Sequence, residues 1–231
     1  MKNKRLHILS TKIIDEALID LVKDTIQLDC IPFIETQVLS PSEIARQLSG
    51  IPVQNGLVIF TSVNAVNAVA AAVPVQPGWK VGCIEATTKK RVQELFPLST
   101  IVAAAPTAAQ LMEQVSALAP EYCTFFCGNK RLNTVPSGLE KNKIPYKEII
   151  VYKTTKTPQP VSKEYRGIIF YSPSGVESFF ELNTVPDATK AYSIGPSTTK
   201  ALQKYTGNIL QSRVPDIKQM IMWIRNDSIG T

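Results

Sequence analysis

Apolar and polar positions alternate along the chain in two rhythms. Short β-branched and apolar runs recur at Leu6–Ser10, Ile31–Thr36, Leu57–Thr61, Lys80–Ile84, Thr100–Ala103, Thr124–Cys127, Glu148–Tyr152, Gly167–Tyr171, Ala191–Ile194 and Asn208–Gln211. Their length and near-continuous apolarity predict strands covered on both faces. Between them, apolar residues fall at helical spacing: Ile13, Ile14, Ala17, Leu18, Leu21 and Val22 form one stripe. Others run through Ile44 and Leu48; Val66, Val69 and Ala70; Val92 and Leu95; Leu111, Val115 and Leu118; Val176, Phe179 and Phe180; and Ile217, Met220, Ile221 and Ile224. This alternation predicts an α/β chain built on parallel sheets. About ten strands is many for one sheet of this size, so two doubly wound domains are expected. Breaks near Thr36-Gln37-Val38 and over Tyr152–Pro160 read as linkers.

An internal repeat supports the two-domain reading. Thr61-Ser62-Val63-Asn64-Ala65-Val66 resembles Tyr171-Ser172-Pro173-Ser174-Gly175-Val176, and Ile84-Glu85-Ala86-Thr87-Thr88-Lys89 resembles Ile194-Gly195-Pro196-Ser197-Thr198-Thr199, both at an offset of 110 residues. Each copy reads as strand, Ser-rich turn, helix, strand, Thr-rich turn, helix.

Composition narrows the chemistry. With 231 residues and 44% hydrophobic side chains the chain can bury a full core, and 19% charged residues without a charge block argue against disorder. The one histidine, His7, lies inside the first strand and excludes multi-histidine metal sites. Cys123 and Cys127 share a strand at a spacing that suits neither zinc nor a redox pair, so the four cysteines read as buried thiols of a reducing compartment. The apolar run at the start is too short for a signal peptide, and the most apolar stretch, Ala65 to Val75, is broken by Asn67 and Pro74. A cytoplasmic protein without a membrane span is expected. The net charge of +6 favours an anionic partner. No phosphate-binding glycine loop and no nucleophile elbow occurs. The basic residues are scattered, without the aromatic interleaving of single-strand binders.

The turns offer a specific use for that charge. Small hydroxyl residues fall between strand ends and helix starts, where open α/β sheets bind ligands and helix N–H groups hold anions. Ser62, Ser172, Ser197 and Thr198 are placed to donate beside those amides, although Ser and Thr also serve as ordinary N-caps. Gly128-Asn129-Lys130-Arg131 follows another strand, with Arg131 suited to pair with a carboxylate, and Thr11-Lys12 follows the first. Four hydroxyl turns in two paired domains point to a cleft for a multiply charged ligand. They fit an enzyme and a non-catalytic two-domain binder of an anionic metabolite equally well.

The ordered series VIFTSVNAV (58–66), FFCGNKR (125–131), EIIVYKT (148–154), FYSPSGVESF (170–179) and SIGPSTTKAL (193–202) resembles the uroporphyrinogen-III synthase family over essentially the whole chain. The resemblance implies two doubly wound α/β domains joined by a two-stranded connector, the first domain being discontinuous. On this chain they would be 1–35 with 155–231, and 36–154, with connectors at Pro32–Val38 and Glu148–Thr154. The implied reaction converts linear hydroxymethylbilane to uroporphyrinogen III, losing water and inverting the terminal pyrrole ring through a spiro intermediate. It implies no cofactor, no metal, no nucleic-acid or membrane partner, and a monomer.

Residue by residue, the resemblance makes Tyr152 the candidate acid that helps the hydroxyl leave. A phenol with a pKa of about 10 is protonated at neutral pH and can donate. Substrate binding would fall to Thr11, Lys12, Ser62, Thr88, Gly128, Asn129, Arg131, Ser172, Ser174, Gly195, Ser197 and Thr198. Two positions depart from the family pattern. Glu85 stands where the first-copy turn usually has glycine, and a carboxylate facing the site would repel an anionic ligand. Lys12 stands where arginine is common, keeping the charge but losing bidentate geometry.

Overall fold

The computed structural model describes residues 5–48, 56–73, 75 and 77–229, the last three by backbone alone. The break assigned to Pro74 lies outside these residues. Two sheets dominated by parallel strands, each buried on both faces, carry the chain, in agreement with the expected α/β class.

The first sheet is formed by β1 (Leu6–Ser10), β2 (Ile26–Cys30), β9 (Gly167–Phe170), β10 (Lys190–Ser193) and β11 (Ile209–Gln211), in the order β11-β10-β9-β1-β2. All its neighbouring strands run parallel. Its helices are α1 (Glu16–Asp20), α7 (Pro173–Phe180), α8 (Pro196–Leu202) and α9 (Ile217–Ile229). The second sheet has the order β3-β8-β7-β4-β5-β6. Its strands are β3 (Ile34–Val38), β4 (Leu57–Phe60), β5 (Lys80–Ile84), β6 (Thr100–Ala105), β7 (Cys123–Gly128) and β8 (Tyr146–Lys156). Here β4 pairs in parallel with β5 and β7, β5 with β6, and β7 with β8. Its helices are α2 (Pro41–Leu48), α3 (Val63–Ala72), α4 (Thr87–Leu95), α5 (Ala108–Ala117) and α6 (Thr134–Lys141). The chain divides into two compact units, residues 1–35 with 155–231 (unit 1) and 36–154 (unit 2).

Successive strand residues enter opposite cores, which is why the strands read as continuous apolar runs. In unit 2, Val58 and Phe60 join one buried cluster while Leu57 and Ile59 join another. In unit 1, Leu9 and Ile168 lie on one side of the sheet, and Ile8 and Ile169 on the other. The repeat has a structural counterpart: β4-α3-β5-α4 in unit 2 and β9-α7-β10-α8 in unit 1 are each a parallel strand–helix–strand–helix unit.

Three sequence expectations are corrected. The strand expected at Ile31–Thr36 begins and ends later, as β3 (Ile34–Val38), and the pattern does not predict β2 (Ile26–Cys30). The sequence of β2, IQLDC, mixes polar and apolar residues because it forms an edge of the first sheet and is only half-buried. The breaks read as linkers at 36–38 and 152–160 are largely extended strand, since β3 ends at Val38 and β8 runs through Lys156. Helix α6 escapes the pattern because Pro136 and Gly138 interrupt it. Pro136 sits in the first turn, where the missing N–H has no helical acceptor to lose. Gly138 lets α5 approach, for an added Cβ would lie 2.8 Å from Met112 Cγ.

Edge strand β2 is held by a polar cluster. Asp29 accepts hydrogen bonds from Tyr165 Oη at 2.8 Å and Lys163 Nζ at 3.1 Å. Desolvation raises the Asp29 pKa, but these two partners outweigh it and hold the carboxyl below the usual carboxylate range. A depressed folded pKa stabilises the protein above the unfolded value and ceases to do so as pH falls through the folded one. Asp29→Asn should therefore cost about 1 kcal/mol at pH 7, discounted for partial exposure. The difference should vanish towards pH 2, well below the ordinary carboxylate pKa of about 4. Urea unfolding of both proteins at the two pH values measures this.

Among the described residues, no helix is long and apolar enough to cross a membrane, and no group of three His, Cys, Asp or Glu side chains is placed to hold a metal ion. The cysteines are unpaired. Burial pushes the thiols of Cys123 and Cys127 up to about 12 and that of Cys83 to about 11, so they are inert as thiolates at neutral pH.

Candidate functional site

In unit 2 the C-terminal ends of β4 and β7 lie beside the middle of β8, around Tyr152. These strands are neighbours in the order β8-β7-β4, so a side chain leaving β8 must pass over the end of β7 to reach β4. Tyr152 does this. Its hydroxyl lies 3.1 Å from Ser62 Oγ, at the start of α3. On the way its ring covers Gly128, the last residue of β7. A Cβ built on Gly128 would stand 2.3 Å from Tyr152 Cε2, 2.5 Å from Cζ and 2.9 Å from the hydroxyl oxygen. Glycine is required here by close approach of a side chain rather than by backbone conformation.

The rest of the Gly128-Asn129-Lys130-Arg131 turn also serves β8. The Asn129 amide N–H donates to the Tyr152 carbonyl at 3.2 Å. Its side chain completes the hold: Oδ1 accepts from the Thr154 N–H at 2.7 Å and Nδ2 donates to the Thr154 carbonyl at 3.3 Å. Asn129 thus grips the backbone at and beyond Tyr152, where the β7–β8 register shifts. Arg131 forms a fork with Glu148, with Nε and Nη2 each 2.8 Å from a carboxylate oxygen. The guanidinium expected to meet a ligand carboxylate already holds one from its own chain. Sequence reasoning saw these three residues as direct ligand contacts because their partners lie 17 to 25 positions away.

Tyr152 is only half-buried. Desolvation raises its pKa, against a smaller lowering by the hydrogen bond with Ser62. The phenol therefore keeps its proton at neutral pH and acts as a neutral donor. Ser62 also caps α3, its Oγ accepting from the Ala65 N–H at 3.2 Å, so the oxygen beside Tyr152 is fixed to a helix start.

Unit 1 gathers hydroxyl residues at the corresponding ends of β1, β9 and β10. Thr11 is buried and its hydroxyl donates to the Ile169 carbonyl at 2.8 Å, a contact that ties β1 to β9. Lys12 is exposed. Ser172 caps α7, accepting from the Gly175 N–H at 3.1 Å, and Ser174 lies in its first turn. Gly195 precedes α8 in extended conformation, and an added Cβ there would meet nothing within 4 Å. Ser197 is exposed and Thr198 buried in the first turn of α8. In unit 2, the counterpart Thr88 is buried in the first turn of α4. Glu85 is exposed, and Ala86 behind it takes a φ of 62°, a conformation that L residues adopt only under strain.

Ser10 and Tyr171 were not singled out by sequence reasoning as site residues. They pair at 3.1 Å across 161 positions of sequence. The only sequence signal was the place of Tyr171 at the head of a repeated motif.

A family model described as uroporphyrinogen-III synthase HemD matches residues 20–222. Among solved structures, the chain is similar to a uroporphyrinogen-III synthetase from Helicobacter pylori, at 17% identity and a TM-score of 0.68, covering 97% of this chain and 99% of that one. It is also similar to a mutant uroporphyrinogen III synthase from Thermus thermophilus, at 16% identity, a TM-score of 0.68 and coverage of 97% and 99%. For the wild-type Thermus thermophilus protein in another crystal form the identity is 14% and the TM-score 0.53, with coverage of 97% and 98%. Identities this low bear on fold. No curated protein matches the chain.

Proposed function

Because the chain belongs to the uroporphyrinogen-III synthase family, we propose that Tyr152 and the hydroxyl turns of its two units carry that family's reaction, the cyclisation of hydroxymethylbilane in tetrapyrrole biosynthesis. The enzyme assignment follows from family membership. The assignment of roles to residues is our own reading, carried by one observation: a protonated phenol held by Ser62, Gly128 and Asn129 at the C-terminal end of a parallel sheet.

Tyr152 donates its proton to the hydroxyl at the end of the linear bilane. The C–O bond breaks, water leaves, and the pyrrole nitrogen supplies the electron pair that stabilises the cation. Attack by the substituted carbon of the terminal ring gives the spiro intermediate, whose reorganisation inverts that ring. The proton released on closing the macrocycle restores the phenol, so the net change is loss of one water. Since the bilane closes without an enzyme to the uninverted isomer, the binding turns matter as much as the acid. They must hold eight carboxylates in the geometry that favours the spiro route.

That holding role suits Lys12, Ser62, Thr88, Ser172, Ser174, Ser197 and Thr198, with helix-start amides beside them. The open space over Gly195 supports a ligand approaching the backbone there, because packing within unit 1 does not require glycine. Thr11, Gly128, Asn129 and Arg131 contribute indirectly, by fixing β1 against β9 and β8 against β7. The domain division at 35/36 and 154/155, a monomeric state and a cytoplasmic location belong to the same proposal. Incubation of hydroxymethylbilane with the protein should give mainly uroporphyrinogen III. Formation of isomer I alone would overturn the reading.

A further inference from the structure

Unit 1 contains a hydroxyl pair of its own. Ser10 closes β1, Tyr171 follows β9, and these strands are parallel neighbours. Ser10 Oγ lies 3.1 Å from the Tyr171 hydroxyl, the same separation as between Ser62 and Tyr152 in unit 2. Both pairs sit where parallel strands end and a serine-capped helix begins, at Ser62 for α3 and Ser172 for α7. The repeat does not account for this likeness. It matches Tyr171 with Thr61, while Tyr152 comes from β8, a strand outside the repeated unit.

The Tyr171 hydroxyl is not needed to satisfy Ser10. Ser10 is fully buried, and its Oγ donates to the Lys12 carbonyl at 2.5 Å and accepts the Lys12 N–H at 3.3 Å. A serine hydroxyl carries one proton. That proton serves the Lys12 carbonyl or is donated to the Tyr171 hydroxyl oxygen. When the Ser10 proton turns towards Tyr171, the phenol proton is released for another acceptor. Tyr171 itself is only half-buried. A phenylalanine would pack against the surrounding Ile8, Ile169 and Tyr192 cluster equally well. The phenol oxygen accepts from Ser10, and its own proton remains to be donated.

We propose that Tyr171 is a substrate-binding residue of unit 1, donating a hydrogen bond to a carboxylate of the polypyrrole substrate, and that Ser10 is the positioning residue that orients its phenol. The inference rests on the reading that these strand ends hold the substrate. A carboxylate is the fitting acceptor because Lys12 and the start of α7 place positive charge on the adjoining turns. Desolvation keeps the phenol protonated well past neutral pH, so it meets an anion as a donor.

Two measurements test this: steady-state kinetics with hydroxymethylbilane, and equilibrium binding of fluorescent uroporphyrin III, the oxidised product. In Tyr171→Phe, KM should rise about tenfold with kcat within about twofold, as for an interaction made equally in ground and transition states. Uroporphyrin III should bind about tenfold more weakly, about 1.4 kcal/mol, with the melting temperature lowered only slightly. Ser10→Ala should raise KM by a smaller factor, and the double variant should resemble Tyr171→Phe alone. Unchanged KM and unchanged porphyrin binding in Tyr171→Phe would overturn the proposal. So would a fall in kcat alone. If the wild type makes only isomer I, the proposed function fails, while porphyrin binding still decides the role of Tyr171. A wild type that neither turns over the bilane nor binds the porphyrin overturns both.

Discussion

Tyr152→Phe is expected to lower kcat about 100-fold while leaving KM close to the wild-type value, as loss of a positioned general acid does. The substitution keeps the ring over Gly128 and removes only the hydroxyl 3.1 Å from Ser62. The structural cost is one hydrogen bond in a half-buried place, about 1 kcal/mol, so the variant remains folded at assay temperature. With enzymatic closure slowed, the spontaneous route competes, and the fraction of isomer I should rise alongside the fall in rate. The pH profile provides an independent reading. Desolvation raises the Tyr152 pKa, so the acid stays protonated up to and beyond its ordinary value of about 10. The wild-type rate should therefore show no alkaline loss attributable to Tyr152 below that pH. Wild-type turnover in Tyr152→Phe would remove the phenol from the chemistry.

Gly128→Ala should produce nearly the same kinetic defect without touching the phenol. The added methyl would lie 2.3 Å from a ring carbon of Tyr152, far inside van der Waals contact, so one of the two must move. Gly128 ends a fully buried strand paired with β4 and flanked by β8, which leaves the half-buried tyrosine as the side that yields. Overpacking of this kind costs about 1–3 kcal/mol, visible as a lower melting temperature. The larger effect is on kcat, expected to fall by at least about tenfold, because misplacement of a catalytic group by about 1 Å can cost as much as 100-fold. In a Tyr152→Phe background the same change should lower kcat little further, since the group it misplaces has already gone. Additive losses in the double variant would show that Gly128 acts through something other than Tyr152.

Features set by neighbouring residues are legible in the sequence, whereas those set by distant partners are not. Strands such as LVIF in β4 and GIIF in β9 were legible because both faces of each sheet are buried, and the sequence must then be apolar throughout. β2 was not, because an edge strand has one side exposed and loses that signature. The repeat was legible for the same local reason: both copies need a small hydroxyl residue to start a helix after a strand. Arg131, by contrast, looked like a free cation in sequence and proved to be half of a bidentate pair with Glu148. Asn129 looked like a ligand contact and proved to be a clamp on Thr154. No local rule distinguishes these outcomes, because a side chain's hydrogen-bond capacity says nothing about which distant partner will use it.

The sequence by itself determined the α/β class, the doubled strand–turn–helix plan and the family resemblance. These depend on periodicity, turn chemistry and ordered motifs, all of which are written within a few residues of one another. Tertiary structure decided which groups meet: Tyr152 over Gly128 and against Ser62, Arg131 on Glu148, and Ser10 on Tyr171. In a parallel sheet, neighbouring strand ends can be more than 150 positions apart in the chain. The crossover that brings them together, rather than the residues beside them in sequence, selects their partners.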